Sequence, residues 1–317
     1  MIFSRYDFHC TLLDNAILPP FKGSTFRGGF GGALKRVVCA VREQDCAACL
    51  LAGRCVYART FEISTCGEGE KRRTAATPHP YVIEPPLTGD TRFAKGEPFN
   101  FALLLLGAAN EWLLYFIYAF ELMGEGGIGK RVGGKRASFR LDRVLLSGSP
   151  IFDVKTRRLQ PVASPEKISL AALPASDDIG TLEVRLLTPL RLKFANSFAA
   201  ELPFHFLVRA MLRRISSLFA AYGDGEPALD YRGIVAAAER VETVRSHLHW
   251  HDWERWSGRQ EQTMLMGGLM GSIVYRGRIA TFLPLLELSR ELHLGKQTSF
   301  GLGKMEYSWS VDRCPCP

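Results

Sequence analysis

Twice along this chain a helical run gives way to a glycine-rich stretch carrying lysine or arginine, and then to a strand. In the second half the order is Phe282–Leu294, Gly295–Lys304, Met305–Val311; in the first it is Ala108–Met123, Gly124–Gly134, Ala137–Leu146. The residues ahead of each pattern complete a matching unit. Thr181–Phe194 is rich in Leu and Val with strand-like alternation, and Ala199–Tyr222 sets Phe204, Leu207, Val208, Met211, Leu212 and Ile215 on one helical face. A short helix at Tyr231–Val241 and strands at Ser246–Trp256 and Met264–Tyr275 follow. Ahead of the first pattern stand a strand (Ile2–Leu13), a helix (Thr25–Val41) and strands at Tyr81–Glu84 and Phe99–Leu106. Both halves read βαββαβ, the ferredoxin-like unit. The expected class is therefore α+β: two tandem ferredoxin-like (RRM-like) domains with a C-terminal glycine-rich loop. Expected bounds are 1–147 with a cysteine-rich insert at about 39–80, a linker over 148–179, and a second domain over 180–317.

Of the 317 residues 47% are hydrophobic and 23% charged, which excludes a disordered chain, a collagen-like repeat and a multi-pass membrane protein. Phe101–Phe120 is almost wholly apolar, but Glu111 lies inside it and Gly107 divides it. A buried strand followed by a buried helix fits this better than a membrane span. Arg5 and Asp7 stand where a signal peptide would need an apolar run, so a cytoplasmic location is expected. In that compartment eight cysteines point to metal binding or inert thiols rather than disulfides. Forty Lys and Arg against 32 Asp and Glu give a net charge of +8, which favours a polyanionic partner.

Cations and glycines coincide in the two loops. Lys296 and Lys304 flank one; Lys130, Arg131, Lys135 and Arg136 populate the other. Glycine lets a backbone approach a phosphate, and successive N–H groups can form an anion nest. Gly124–Lys130 (GEGGIGK) nearly spells a P-loop, but Arg131 replaces the Mg²⁺-binding Ser or Thr and a helix precedes it, so nucleotide hydrolysis is rejected. Cys39, Cys46, Cys49 and Cys55, four within seventeen residues, match a structural Cys₄ zinc site; an iron–sulfur cluster would use the same ligands. In SHLHWHDWERWSGRQ (Ser246–Gln260) a strand would put His247, His249 and His251 on one face with Trp253 and Arg255, and Arg259 follows. Imidazole, indole and guanidinium groups together suit looped or single-stranded RNA, though three histidines could also hold a transition metal.

The C-terminal GKQTSFGLG, between a helix and a strand, resembles the glycine-rich signature of the CRISPR-associated RAMP proteins, most of all the endoribonucleases that process precursor crRNA. LPPFKGSTFRGGFGGALKR (Leu18–Arg36) is similar to that family's entry to its first helix, and Cys55–Glu62 after the cysteine cluster resembles a subgroup with a cysteine-bearing insert. The resemblance implies two ferredoxin-like domains, CRISPR repeat RNA as ligand, and metal-independent cleavage leaving a 2′,3′-cyclic phosphate, with no cofactor needed for the chemistry. It also implies Lys35 and Arg36 at the active-site edge, with Arg27 and Arg36 among the RNA-binding cations. The family's histidine in or just after the first helix has no counterpart, since Gly23–Arg54 contains none. The proton-transfer candidates are therefore His249 and His251, with Lys35 and Arg36 assisting charge. The missing helix histidine keeps open a non-cutting crRNA-binding subunit of an effector complex. A redox protein built on the cysteines is the more distant alternative.

Overall fold

The structure, a computed structural model, describes residues 1–41, 45–63, 77–160, 166–176, 178–194, 197–198, 201–257 and 262–312. Contacts divide it into two units: Met1–Ile168 with Ala221–Gly223, and Ser169–Ala220 with Asp224–Pro317. No helix among the described residues is long and apolar enough to cross a membrane.

The first unit runs β1 (Phe3–Leu12), α1 (Gly23–Val38), α2 (Val56–Phe61), β2 (Tyr81–Glu84), β3 (Phe101–Leu106), α3 (Leu113–Gly126), β4 (Ile128–Val132), β5 (Lys135–Ala137), β6 (Phe139–Leu146), β7 (Ser149–Asp153) and β8 (Arg158–Leu159). Its main sheet is antiparallel in the order β8-β7-β6-β1-β3-β2, and the four strands β6-β1-β3-β2 are the ferredoxin-like arrangement. Alternation along β1 sends Tyr6, Phe8, Cys10 and Leu12 into the helix-covered core and Arg5, Asp7, His9 and Thr11 to the opposite face. Phenylalanines fill that core: Phe30 stacks on Phe120 at 4.5 Å and Phe8 on Phe101 at 4.8 Å. Truncating any one to Ala would cost about 3–5 kcal/mol.

Two expectations change here. Gly124–Gly134 is not a loop but holds most of a hairpin, β4 and β5, closed by the buried pair Ile128 and Ala137 and turned at Gly133–Gly134, both at positive φ (59° and 83°). Two positive φ angles are what a two-residue hairpin turn of the right twist needs. Part of the expected linker also joins the sheet, because Ile151 and Phe152 of β7 are apolar and buried beside β6.

The second unit runs β9 (Gly180–Leu190), α4 (Phe204–Tyr222), α5 (Tyr231–Ala238), β10 (Glu242–Ser246), β11 (His249–Ser257), β12 (Gln262–Gly277), α6 (Leu283–Leu292) and β13 (Met305–Val311). Its sheet order, β10-β12-β9-β13, repeats the ferredoxin-like arrangement, and β11 pairs with the other half of β12. The predicted apolar face of α4 is buried as expected. Arg214, buried on α4, donates from Nε and Nη2 to the Leu292 carbonyl (3.2 and 3.1 Å) and so satisfies an orphan acceptor at the end of α6. The single strand expected over Ser246–Trp256 breaks at His247–Leu248. Opposite that break Gly271 of β12 has φ +113°, and a Cβ there would lie 2.2 Å from the His247 carbonyl oxygen. His247 therefore lies outside β11, which carries His249 and His251 alone.

Candidate nucleic-acid interface

Four glycines interrupt α1, at a cost of about 1 kcal/mol each relative to Ala. Packing accounts for two of them. A Cβ on Gly29 would meet Met123 at 2.9 Å, and one on Gly31 would meet Phe61 at 2.9 Å. Gly28 and Gly32 are exposed, and a Cβ on either would meet nothing within 4 Å. One face of α1 thus presents bare backbone to solvent, with Arg27, Lys35 and Arg36 on the same helix. The insert helix α2 fixes two of these cations through its ring faces: the Arg27 guanidinium lies 5.1 Å from the Phe61 centroid and Lys35 Nζ 5.6 Å from that of Tyr57. Arg36 reaches the foot of the β4–β5 hairpin, where a Cβ on Gly126 would stand 3.8 Å from its Nη2.

The hairpin carries Lys130, Arg131, Lys135 and Arg136, all exposed. It is seated by Gly129 (φ +75°), where a Cβ would lie 2.3 Å from the Ile17 carbonyl oxygen. Among the described residues none of Lys35, Arg36 and the four hairpin cations makes a salt bridge, although the Asp14 carboxylate feels the charge of Lys135.

Beside α1 stands a histidine, His79, that no motif or spacing singles out. The carbonyl of Thr60, at the end of α2, accepts from Nδ1 of His79 at 2.9 Å, which leaves Nε2 as the basic nitrogen of the neutral ring, 3.4 Å from Arg27 Nη2. Fifty-two residues separate His79 from Arg27, and no periodicity links them. The one available signal was the aromatic insert, whose Phe61 contacts both α1 and Tyr81.

In the second unit His249 and His251 are exposed on β11, in register with Met270 and Gly268 of β12. His251 lies over Trp253 with ring centres 6.0 Å apart and planes 23° from parallel. Trp250 Nε1 donates to Asp252 Oδ1 at 2.8 Å, and both side chains lie over Gly267, where a Cβ would come within 2.5 Å of each. Trp250 is 38% exposed, enough to offer an indole face to a base. Arg191 adjoins this strand pair: its Nη1 lies 3.8 Å from Met266 Sδ, and burial lowers its pKa against the opposing pull of Asp252. The backbone at Arg255 continues β11, whereas Arg259 lies outside the described residues.

Gly295–Lys304 folds inward. Backbone N–H groups of Lys296, Phe300, Gly301 and Gly303 all donate to carbonyl oxygens of the same unit, and Thr188 Oγ1 donates to the Gly301 carbonyl at 2.8 Å. The expected anion nest is thus occupied by the protein's own acceptors. Lys296 remains exposed and Lys304 half-buried. His293 is fully buried, with Nδ1 3.0 Å from the Leu302 carbonyl oxygen.

Cys39, Cys46, Cys49 and Cys55 are half-buried free thiols, and Cys39 Sγ donates to the Val41 carbonyl at 3.3 Å. Burial raises the Cys46 pKa, with Lys35 opposing. Among the described residues no three Cys, His, Asp or Glu side chains gather closely enough to hold a metal ion. Cys66, Cys314 and Cys316 lie outside the described residues.

Comparisons with known proteins agree with this architecture. Residues 1–164 match the N-terminal domain AF_1859_N, and residues 184–305 match the CRISPR-associated endoribonuclease Cas6 family. An uncharacterised protein of Archaeoglobus fulgidus is 26% identical over 294 residues, covering 90% of this chain and 91% of its own. Among solved structures, a Cas6 product complex superposes with a TM-score of 0.56 at 15% identity, over 97% of this chain and 99% of that one. Thermus thermophilus Cas6 does so at 0.53 and 13%, over 97% and 98%. These likenesses show the fold.

Proposed function

The chain belongs to the family marked by the AF_1859_N domain, with a CRISPR-associated Cas6 domain behind it, and on that premise we propose that this RAMP protein binds precursor crRNA at its repeats and cuts it. The observation that carries the proposal is the bare face of α1: Gly28 and Gly32 admit a phosphodiester close to the helix that carries Lys35 and Arg36, with the exposed cations of the β4–β5 hairpin in the same unit. Each phosphate so neutralised releases counterions and makes the affinity salt-dependent.

The reaction class is attack of the RNA's own 2′-hydroxyl on the adjacent phosphate. A base removes the 2′-hydroxyl proton, an acid protonates the departing 5′-oxygen, and the products are a 2′,3′-cyclic phosphate and a 5′-hydroxyl. Neither proton transfer requires a metal. His249 and His251, exposed beside Trp250 and Trp253, are the proton-transfer candidates of the second unit, and Lys35 and Arg36 the charge-stabilising candidates of the first. The Thr60 carbonyl favours a second assignment, because it fixes His79 in the tautomer whose Nε2 is basic, in the same unit as the cations of α1. The cut product then serves as guide RNA, with subunits of an effector complex as partners. Cys39, Cys46, Cys49 and Cys55 would hold a structural zinc only if it draws the thiols together.

The test is single-turnover incubation with repeat RNA in excess EDTA. One cut, lost when a single 2′-deoxy residue is placed 5′ to it, is the expected result. Replacing both His249 and His251 by Ala should slow that cut by about 10²–10⁴-fold while sparing binding. Unchanged cleavage there, with loss in His79→Ala, transfers the role to His79. Tight binding without a cut makes the protein a non-catalytic crRNA subunit, and the absence of both binding and cutting sinks the proposal.

A further inference from the structure

The face of the first sheet that points away from its helices holds a cavity of about 650 Å³, separate from the α1 surface and carrying none of the residues assigned above. Register places His9, Arg143 and Asp153 in one row across β1, β6 and β7, and Lys155 follows from the turn after β7. The carboxylates in the cavity wall are already engaged. Asp142 accepts from Thr11 Oγ1 at 2.6 Å and from Arg140 Nε at 2.7 Å, one on each oxygen; Asp153 Oδ1 accepts from the Lys155 backbone N–H at 2.7 Å. The side chains of His9, Arg143 and Lys155 have no hydrogen-bond or ion-pair partner among the described residues. Asn100 Oδ1 accepts from the Cys10 N–H at 3.2 Å, which fixes the amide and leaves its Nδ2 as a donor.

Three permanent cations (Arg140, Arg143, Lys155) thus face two carboxylates (Asp142, Asp153), with an imidazole added. A site of this sign repels a metal ion or an amine and attracts an anion. A guanidinium fork beside an ammonium and an amide donor suits the tetrahedral oxygens of phosphate, and apolar Pro98 and Val154 at the wall suit a ribose or base. The volume falls in the roughly 300–1,000 Å³ range of small-molecule sites, which admits a mononucleotide. We propose that this cavity is a second nucleotide site, in which Arg143 and Lys155 hold the phosphate while His9 and Asn100 donate to it. The phosphate belongs either to a free nucleotide or to a stretch of RNA running beyond the α1 surface.

Inorganic phosphate, AMP and repeat RNA titrated separately into the full-length protein, with the His9 ring protons followed by NMR, test the proposal. AMP should shift the His9 signal, and Arg143→Ala with Lys155→Ala should weaken AMP binding by about tenfold or more with an unchanged melting temperature. Displacement of AMP by repeat RNA assigns the site to the RNA chain; persistence of AMP in the RNA complex assigns it to a free nucleotide. No His9 shift with any of the three, or equal AMP affinity in the double variant, overturns the site. Should the double variant unfold, Arg143→Gln alone supplies the same comparison. The readout is binding, so a wild-type protein that takes AMP but cuts no RNA would count against the ribonuclease reading and leave this site standing.

Discussion

In the first unit the glycines of Gly124–Gly134 turn a hairpin outwards and leave Lys130, Arg131, Lys135 and Arg136 in solvent. In the second, those of Gly295–Lys304 bring backbone against backbone: Gly303 has φ +74°, and a Cβ there would stand 1.8 Å from the Leu294 carbonyl oxygen. Both stretches combine glycine with lysine, and composition alone does not separate them. The apolar residues do. Phe300 and Leu302 are buried and draw the second stretch inward, whereas Val132, beside the turn of the first, is 57% exposed. A glycine–lysine stretch is thus a phosphate surface where its apolar residues leave it outside the core, and a packing device where they pull it in.

The largest effect should come from Gly303→Ala, which adds a backbone clash to a left-handed φ. We expect a loss of about 3 kcal/mol or more in urea unfolding of the second unit, against roughly 1 kcal/mol for Gly133→Ala, whose Cβ meets open space. Equal costs would break the comparison. Next, replacing Lys130, Arg131, Lys135 and Arg136 together by Ala should weaken repeat RNA binding by about a hundredfold near 0.1 M salt, and lower the log–log salt slope by roughly 2–3. A titration in which the slope is unchanged would remove the hairpin from the interface. Gly28→Ala with Gly32→Ala sharpens the same point with opposite signs: a gain of up to ~1 kcal/mol per site in stability, and weaker RNA binding because methyl groups hold the phosphates off. A stable variant with undiminished affinity would mean that nothing approaches that face. Smallest of all, Lys296→Ala should cost no more than about threefold in affinity, as one exposed cation does.

Much of the architecture was legible in the sequence. The apolar faces of β1 and α4 follow one period each, and both βαββαβ orders come from such local patterns. What escaped the reading depends on distant partners. The hairpin at Ile128–Ala137 looks like a loop until Ile17 explains Gly129; Ile151 and Phe152 look like linker until β6 lies beside them. For the site, the cations of α1 and the hairpin were readable as charge beside glycine. His79 was not, since its orientation depends on a carbonyl supplied by the insert, 19 residues away. The histidine stripe was over-read by one, because the break at His247 is imposed by Gly271 of another strand.

The centre of the first sheet also sets a timetable. β1 is synthesised well before its partners, which are β3, at Phe101–Leu106, and β6, at Phe139–Leu146. At about 5–20 residues per second, its apolar side waits on the order of ten seconds on the ribosome before either neighbour can pair with it. During that wait Tyr6, Phe8 and Leu12 stand uncovered on a strand with two open edges, so β1 is the segment of this unit most exposed to mispairing until β3 emerges.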